Sequence, residues 1–319
     1  MRDPGDAIAE SARVEARLPL PSDVLEIGGS VGHFRRYQVR RCIGEGGMGR
    51  VYQAYDPVLR RDIALKVMRA DVPEPERRRF RREAIFGARF SHPSIVRIFD
   101  MGEHVAADGS LVEWFSMEYL PGSDLERVLA RAQAQGQRLP VLSVLDIFRQ
   151  VLSALQYAHD CYVVHRDVKP GNIYVTRDPN TRFLTTKLLD FGIALDLDGP
   201  AESEALCGNP YYMAPEQTIP GAEIDGRADI YAAGLSFYEA VTGRHPLEDF
   251  RQAAVETVFS AQCKYQPRPP SAFLPPDTPA RLAQGVDLIF ERACAKDPDD
   301  RFQSAADMRE AMLLFLSPI

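Results

Sequence analysis

The chain has 319 residues, 45% hydrophobic and 26% charged, a globular composition that excludes a disordered or fibrous protein and at this length favours two lobes over one core. The net charge of -7 is uneven, +2 over residues 1–116 and -9 over 117–319, so the second part disfavours nucleic acid and mildly favours basic peptides as partners. Five scattered cysteines without a C-x-x-C pair, no apolar run near the roughly 20 residues a membrane helix needs, and no secretory leader pattern point to a reduced, cytoplasmic chain without a membrane segment.

Residues 1–36 are rich in Pro, Gly, Ala and acidic residues and are expected to form a flexible extension. The folded domain is expected over 37–312, with a β-rich lobe at 37–119, a helical lobe at 120–312 and a tail at 313–319. Strands are predicted at 37–39, 51–54 and 63–67, separated by a glycine-rich turn and a turn at Asp56-Pro57, giving an antiparallel meander. A helix is predicted over 75–90, where Phe80, Glu83 and Gly87 share one face and the five arginines between Arg77 and Arg82 mostly look outward. Strands at 95–101 and 111–119 flank an Ala-Asp-Gly turn, and Pro121-Gly122 closes the first lobe. Helical periodicity then dominates at 141–159, 228–242, 252–260, 279–295 and 304–315. Between the first two of these lie a hairpin through Asp178-Pro179-Asn180 and a Gly/Ala/acid-rich segment at 190–216.

Chemistry concentrates at three places. Gly44-Glu45-Gly46-Gly47-Met48-Gly49 fits G-x-G-x-x-G, and such glycines let a backbone approach phosphates while adopting positive φ. A dinucleotide fingerprint would need a helix here, but Arg50-Val51-Tyr52-Gln53-Ala54 reads as a strand, and a Walker loop would need Lys-Ser/Thr after Gly49. Lys66 sits in the apolar strand Ile63-Ala64-Leu65-Lys66 and needs a partner there; Glu83, on the inward face of the predicted helix, is the expected one. The loop His165-Arg166-Asp167-Val168-Lys169-Pro170-Gly171-Asn172 gathers charge between two β-prone runs, which pins it.

Taken in order, these residues resemble the eukaryotic-like Ser/Thr protein kinases, particularly the bacterial branch, over about 37–312. The glycine loop with Val51, I-A-L-K at 63–66, Glu83 and H-R-D-V-K-P-G-N at 165–172 all match. So do D-F-G at 190–192, A-P-E at 214–216, D-I-Y-A-A-G at 229–234 and Arg301. The resemblance implies an α+β, two-lobed protein-kinase-like fold, with a small antiparallel sheet lobe carrying one main helix and a larger, mainly helical lobe. It implies transfer of the ATP γ-phosphoryl group to Ser/Thr hydroxyls of protein substrates, with Mg²⁺, and possible autophosphorylation in trans.

By the same resemblance Asp167 is the catalytic carboxylate that orients the acceptor hydroxyl and takes its proton, and Lys169 steadies the transferred group. Asn172 and Asp190 are the Mg²⁺ ligands, and Lys66, placed by Glu83, holds the α- and β-phosphates. Ile43, Gly44, Glu45, Gly46, Gly47, Met48, Gly49, Arg50, Val51 and Ala64 belong to the nucleotide side. Glu118 to Leu120 is the hinge for adenine, and Asp124 lies near the ribose. His165 and Phe191 are implied to be packing residues, Glu216 and Arg301 a buried ion pair.

The chain departs from the family pattern at Asn209, where a threonine usually helps align the catalytic aspartate and lysine; the amide is expected to substitute. Arg166 resembles an arginine that pairs with a loop phosphate, yet residues 193–209 hold one hydroxyl candidate, Ser203, and four acids, Asp196, Asp198, Glu202 and Glu204, which are expected to stand in partly for that phosphate. Cys207 is read as an inert thiol. The alternatives are a catalytically silent pseudokinase scaffold and a small-molecule phosphotransferase. Asn209 favours the former, the intact Lys66, Asp167, Asn172 and Asp190 oppose it, and the A-P-E segment opposes the latter.

Overall fold

The computed structural model describes residues 25, 28–32, 36–105, 109–177, 184–196 and 208–316. The hairpin tip at Asp178-Pro179-Asn180, the Ala107-Asp108 part of the predicted turn, and Asp198, Glu202, Ser203, Glu204 and Cys207 lie outside them, as do most of the expected extension and the side chain of Asp196. By contacts the chain forms two compact units, Met1–Val72 with Met101–Ser116, and Pro73–Asp100 with Met117–Ile319.

One sheet contains β1 (Ser30–Val31), β2 (Tyr37–Glu45), β3 (Gly49–Asp56), β4 (Arg61–Met68), β5 (Ile98–Val105) and β6 (Leu111–Glu118), in the order β1-β2-β3-β4-β6-β5. The predicted meander is β2-β3-β4, antiparallel throughout. Along β3 burial alternates strictly, with Arg50, Tyr52, Ala54 and Asp56 inward, as a half-covered strand requires. The buried Asp56 is satisfied by Arg36 at 2.6 Å and by the Val58 and Leu59 N–H groups, both at 3.1 Å, so one carboxylate fixes the turn that follows the strand. Tyr37, Tyr52, Ile63, Leu65, Trp114 and Phe115 fill the core of this first unit.

Part of the segment expected to be flexible is folded. Val31 is 1% and Leu25 3% exposed, β1 pairs antiparallel with β2, and the Gly28 N–H donates to the Val39 carbonyl at 2.9 Å. The polar composition hid two apolar anchors. β1 uses the free edge of β2, and a Cβ at Gly32 would lie 3.0 Å from the Tyr37 ring, which itself meets Trp114 edge-on at 5.7 Å.

The second unit holds α1 (Glu74–Arg89), α2 (Leu125–Ala134), α3 (Val141–Asp160), α4 (Gly226–Thr242), α5 (Val255–Lys264), α6 (Ala280–Ala293) and α7 (Ala305–Leu316). It also holds two small sheets, one of β7 (Gly122–Asp124), β9 (Ile173–Arg177) and β10 (Leu184–Leu188), the other of β8 (Val163–Val164) and β11 (Leu195–Asp196). The fully buried face of α3 is the centre of its core, and Phe148 meets Phe237 of α4 at 5.5 Å. The face predicted for α1 is the buried one, with Phe80, Glu83 and Gly87 inward. Its glycine has a packing cause, because a Cβ there would lie 2.5 Å from Ile98 Cδ1. By contacts α1 groups with the helical unit, since Phe86 and Phe90 enter that core and Phe90 meets Phe191 at 4.9 Å.

Two predictions missed their marks. The strand placed at 95–101 begins only at Ile98, because Ile95 makes an isolated bridge to Leu188 instead. Helix α2 was not predicted; its core-facing stripe is short, Leu125 buried with Val128 and Leu129 packed partly buried against the same core, and its start is set by the Asp124 cap. Among the described residues no helix is long and apolar enough to cross a membrane.

Candidate active site

In the first unit, the glycine segment is the β2–β3 hairpin turn, closed by Gly46 N–H to Gly49 O at 2.9 Å and Gly49 N–H to Gly46 O at 3.3 Å. Cross-strand partners Val51 and Lys66, and Gln53 and Ala64, put Val51, Ala64 and Lys66 on one face of the sheet, and Gly44 opposes Val51 from the other side. The Lys66 ammonium lies 5.7 Å from the Phe115 ring centroid. Ile43 precedes the turn on β2; Glu45 and Arg50 pair across it at 3.3 Å, and the Met48 carbonyl accepts from Arg69 N–H at 3.0 Å.

The expected positive φ is absent from all four loop glycines. At Gly49 the reason is steric instead. A Cβ on Gly49 would stand 2.1 Å from the Val67 carbonyl oxygen, whereas Gly46 and Gly47 have nothing within 4 Å and leave the turn backbone bare. Gly49→Ala is therefore expected to destabilise this unit by about 1–3 kcal/mol, and Gly46→Ala to leave its melting unchanged. Thermal unfolding of the two variants checks this, and an equal response of both would contradict it.

In the second unit, β8 delivers the chain into His165, whose ring is fully buried. Its Nδ1 accepts from the Asp167 N–H at 3.2 Å and its Nε2 donates to the Leu189 carbonyl at 2.9 Å, which fixes a neutral tautomer. The ring packs 4.5 Å from Phe191. His165 and Phe191 are thus packing residues, as the resemblance implied. Asp167 Oδ2 accepts from Lys169 Nζ at 2.6 Å and Asn172 Nδ2 at 2.9 Å. Asn172 Nδ2 also donates to the Asp167 carbonyl at 2.8 Å. Asp167 Oδ1 is buried with no hydrogen-bond partner among the described residues, a costly arrangement for a structural carboxylate and a useful one for a base.

Asp190 follows directly, because the Leu189 N–H donates to the Asn172 carbonyl at 2.9 Å. Asp190 itself is held at φ 61 and accepts from the Gly192 N–H at 3.1 Å; a left-handed conformation outside a glycine is a mark of functional sites. Beneath the loop, Asp229 of α4 is fully buried and accepts from the His165 and Arg166 N–H groups and from His159, all at 2.8 Å. Burial by itself would raise its pKa, but these donors together hold it below the usual carboxylate value. Asp229 and His159 therefore position the 165–172 loop. The sequence offered Asp229 only as part of D-I-Y-A-A-G and gave no signal for His159.

The remaining predicted positions divide. The Glu118 N–H donates to the Arg97 carbonyl at 2.9 Å and its carboxylate accepts from Lys187 at 2.7 Å. Asp124 is the N-cap of α2, accepting from the Arg127 N–H at 2.7 Å. Asn209 does not take the expected aligning role: its Oδ1 accepts from the Tyr211 N–H at 3.1 Å in a local Asx turn, with no hydrogen bond to Asp167 or Lys169. The Arg166 Nε donates to the Ile193 carbonyl at 2.7 Å. Glu216 and Arg301 form the expected buried pair, bidentate at 2.7 and 2.8 Å. No cluster of three or more His, Cys, Asp or Glu side chains stands ready for a metal among the described residues. Asp190 and Asn172 nonetheless offer hard oxygens on neighbouring backbone, which suits Mg²⁺, an ion that completes its shell with water and phosphate.

The Protein kinase domain family matches residues 37–312. The probable serine/threonine-protein kinase PknB of Corynebacterium glutamicum is 39% identical over 279 residues, covering 86% of this chain and 41% of the relative. The serine/threonine-protein kinase PknF of Mycobacterium tuberculosis is 38% identical over 284 residues, covering 88% and 56%. The chain thus spans about half the length of these curated relatives, or less. The crystal structure of the Mycobacterium tuberculosis PknI kinase domain is similar, with a TM-score of 0.64 and 32% identity over 92% of this chain and 99% of that one.

Proposed function

The chain belongs to the protein kinase domain family, and on that premise we propose that it transfers the γ-phosphoryl group of ATP to Ser/Thr hydroxyls of proteins. The observation that carries this is the divided carboxylate of Asp167, with Oδ2 locked by Lys169 and Asn172 and Oδ1 buried without a partner. An acceptor hydroxyl donating to Oδ1 is oriented for attack and passes its proton there as the new P–O bond forms. Lys169, anchored on the other oxygen, offers its remaining N–H groups to the phosphoryl oxygens. Lys66 meets the α- and β-phosphates, Gly46 and Gly47 lay bare backbone beside them, and Val51 and Ala64 provide an apolar surface for the base. The Glu118 carbonyl and the Leu120 N–H read the adenine edge.

Asp190 and the Asn172 side-chain oxygen, Oδ1, would hold Mg²⁺, which when bound offsets the charge of the phosphates. Lysine two residues after the aspartate matches the Ser/Thr class. Asp124, whose Oδ1 caps α2 and whose Oδ2 lies 3.3 Å from Arg127 Nε, would exchange that second contact for the ribose.

Incubation with γ-labelled ATP, Mg²⁺ and a basic acceptor protein is expected to label the acceptor on Ser and Thr. Nucleotide binding without transfer to any of a panel of proteins would instead make the chain a scaffold, and preferential labelling of small molecules would make it a different phosphotransferase.

A further inference from the structure

The second unit contains a cavity of about 650 Å³, away from the catalytic loop in sequence. Leu235, Leu247 and Phe290 give it an apolar floor, and Asp287, Glu291, Asp297 and Asp300 line it with four carboxylates. Glu291, Asp297 and Asp300 are exposed. None of the four forms an ion pair among the described residues; Asp287 accepts only from the Ser271 N–H at 2.8 Å and Asp297 from the Asp299 N–H at 3.0 Å. The one cation in the lining, Lys296, is drawn inward, with Nζ donating to the Tyr231 hydroxyl at 3.0 Å and lying 5.4 Å from its ring. Apolar surface under an excess of unneutralised acid fits a partner that brings apolar side chains and cations together.

We propose that this cavity docks a basic, apolar segment of the protein substrate, an aliphatic or aromatic side chain filling the floor and flanking Arg or Lys meeting the carboxylates. The occupant's identity as substrate rests on the kinase reading; its chemistry does not. A hydrogen-bond relay joins the cavity to the segment just before A-P-E. The Tyr231 hydroxyl donates to Gln262 Oε1 at 2.9 Å, and the fully buried Gln262 passes on through Nε2 to the Pro210 carbonyl at 3.0 Å. An occupant that shifts Lys296 or Tyr231 therefore acts on the backbone beside Tyr211 and Tyr212.

The test uses the full chain and a fluorescein-labelled peptide without hydroxyl groups, Arg-Arg-Leu-Phe-Arg-Leu-Arg amide, with a control carrying Glu in place of every Arg. The peptide is expected to bind in a salt-dependent manner, the control not to bind, and Glu291→Lys/Asp300→Lys to weaken binding about tenfold or more. Should the charge reversal disturb folding, the isosteric Glu291→Gln/Asp300→Asn variant is expected to show a smaller loss in the same direction. Equal binding by these folded variants and the parent chain, or equal binding of the control peptide, overturns the proposal. Because the peptide has no acceptor, binding is also measured on Asp167→Asn and is expected to be unchanged there. Docking can thus fail while phosphoryl transfer stands, or stand while transfer fails.

Discussion

Asp167→Asn is expected to lower phosphoryl transfer by about 10²- to 10⁴-fold while leaving the fold intact. The reason lies in the asymmetry of the carboxylate. Lys169 Nζ and Asn172 Nδ2 both donate to Oδ2, so an amide at this position turns its oxygen toward them to avoid facing two donors with a third. Its NH₂ group then occupies the place of Oδ1, where it donates and can take no proton. Nucleotide binding and the melting temperature are expected to stay near those of the parent chain, since the side-chain contacts that tie the loop together survive. Single-turnover transfer of labelled phosphate reads the loss. A variant that retains a tenth or more of the parent rate would mean that Asp167 is not the base.

The second large effect is on stability. Arg301 is fully buried, and its five N–H donors are all used: two on Glu216 and one each on the carbonyls of Ala295, Arg227 and Lys296. Glu216→Gln removes the only carboxylate paired with that guanidinium among the described residues and sets an amide donor against it. The loss is expected to be about 3–5 kcal/mol, as for other buried pairs with one partner removed. The double variant Glu216→Met/Arg301→Met should recover only part, because three carbonyls then lose their donor while the charge problem disappears. Urea unfolding checks both. A loss below about 1 kcal/mol, the range of an exposed pair, would show that the site is not sealed from water.

The local pattern made much of this molecule legible. The alternation of β3, the inward face of α1 and the long buried stripe of α3 are periodicities written in consecutive residues, and the fold expected from them is the fold observed. Errors fell where the deciding partner is distant in sequence. Ile95 has strand-forming neighbours but pairs with Leu188. The segment before residue 37 is rich in Pro, Gly, Ala and acidic residues, yet Gly28 and Ser30–Val31 pair with the edge of β2. Asn209 is the exception: the analogy with a threonine gives way to a local donor, the Tyr211 N–H two residues on, which claims its oxygen.

The sequence alone determined which chemical groups are present and in what order: a glycine turn, a lysine in an apolar strand, a charged loop between β-prone runs and the D-F-G and A-P-E segments. That order suffices to identify the family, because composition and spacing are one-dimensional properties. Only the tertiary structure decided which oxygen of Asp167 is committed and which is left open, that Asp229 supports the loop from 63 and 64 positions away, and that Asp124 caps a helix. Those outcomes depend on donors and acceptors brought to about 3 Å by chain segments far apart, and short-range hydrogen bonding of that kind leaves no periodic trace in the residues that make it.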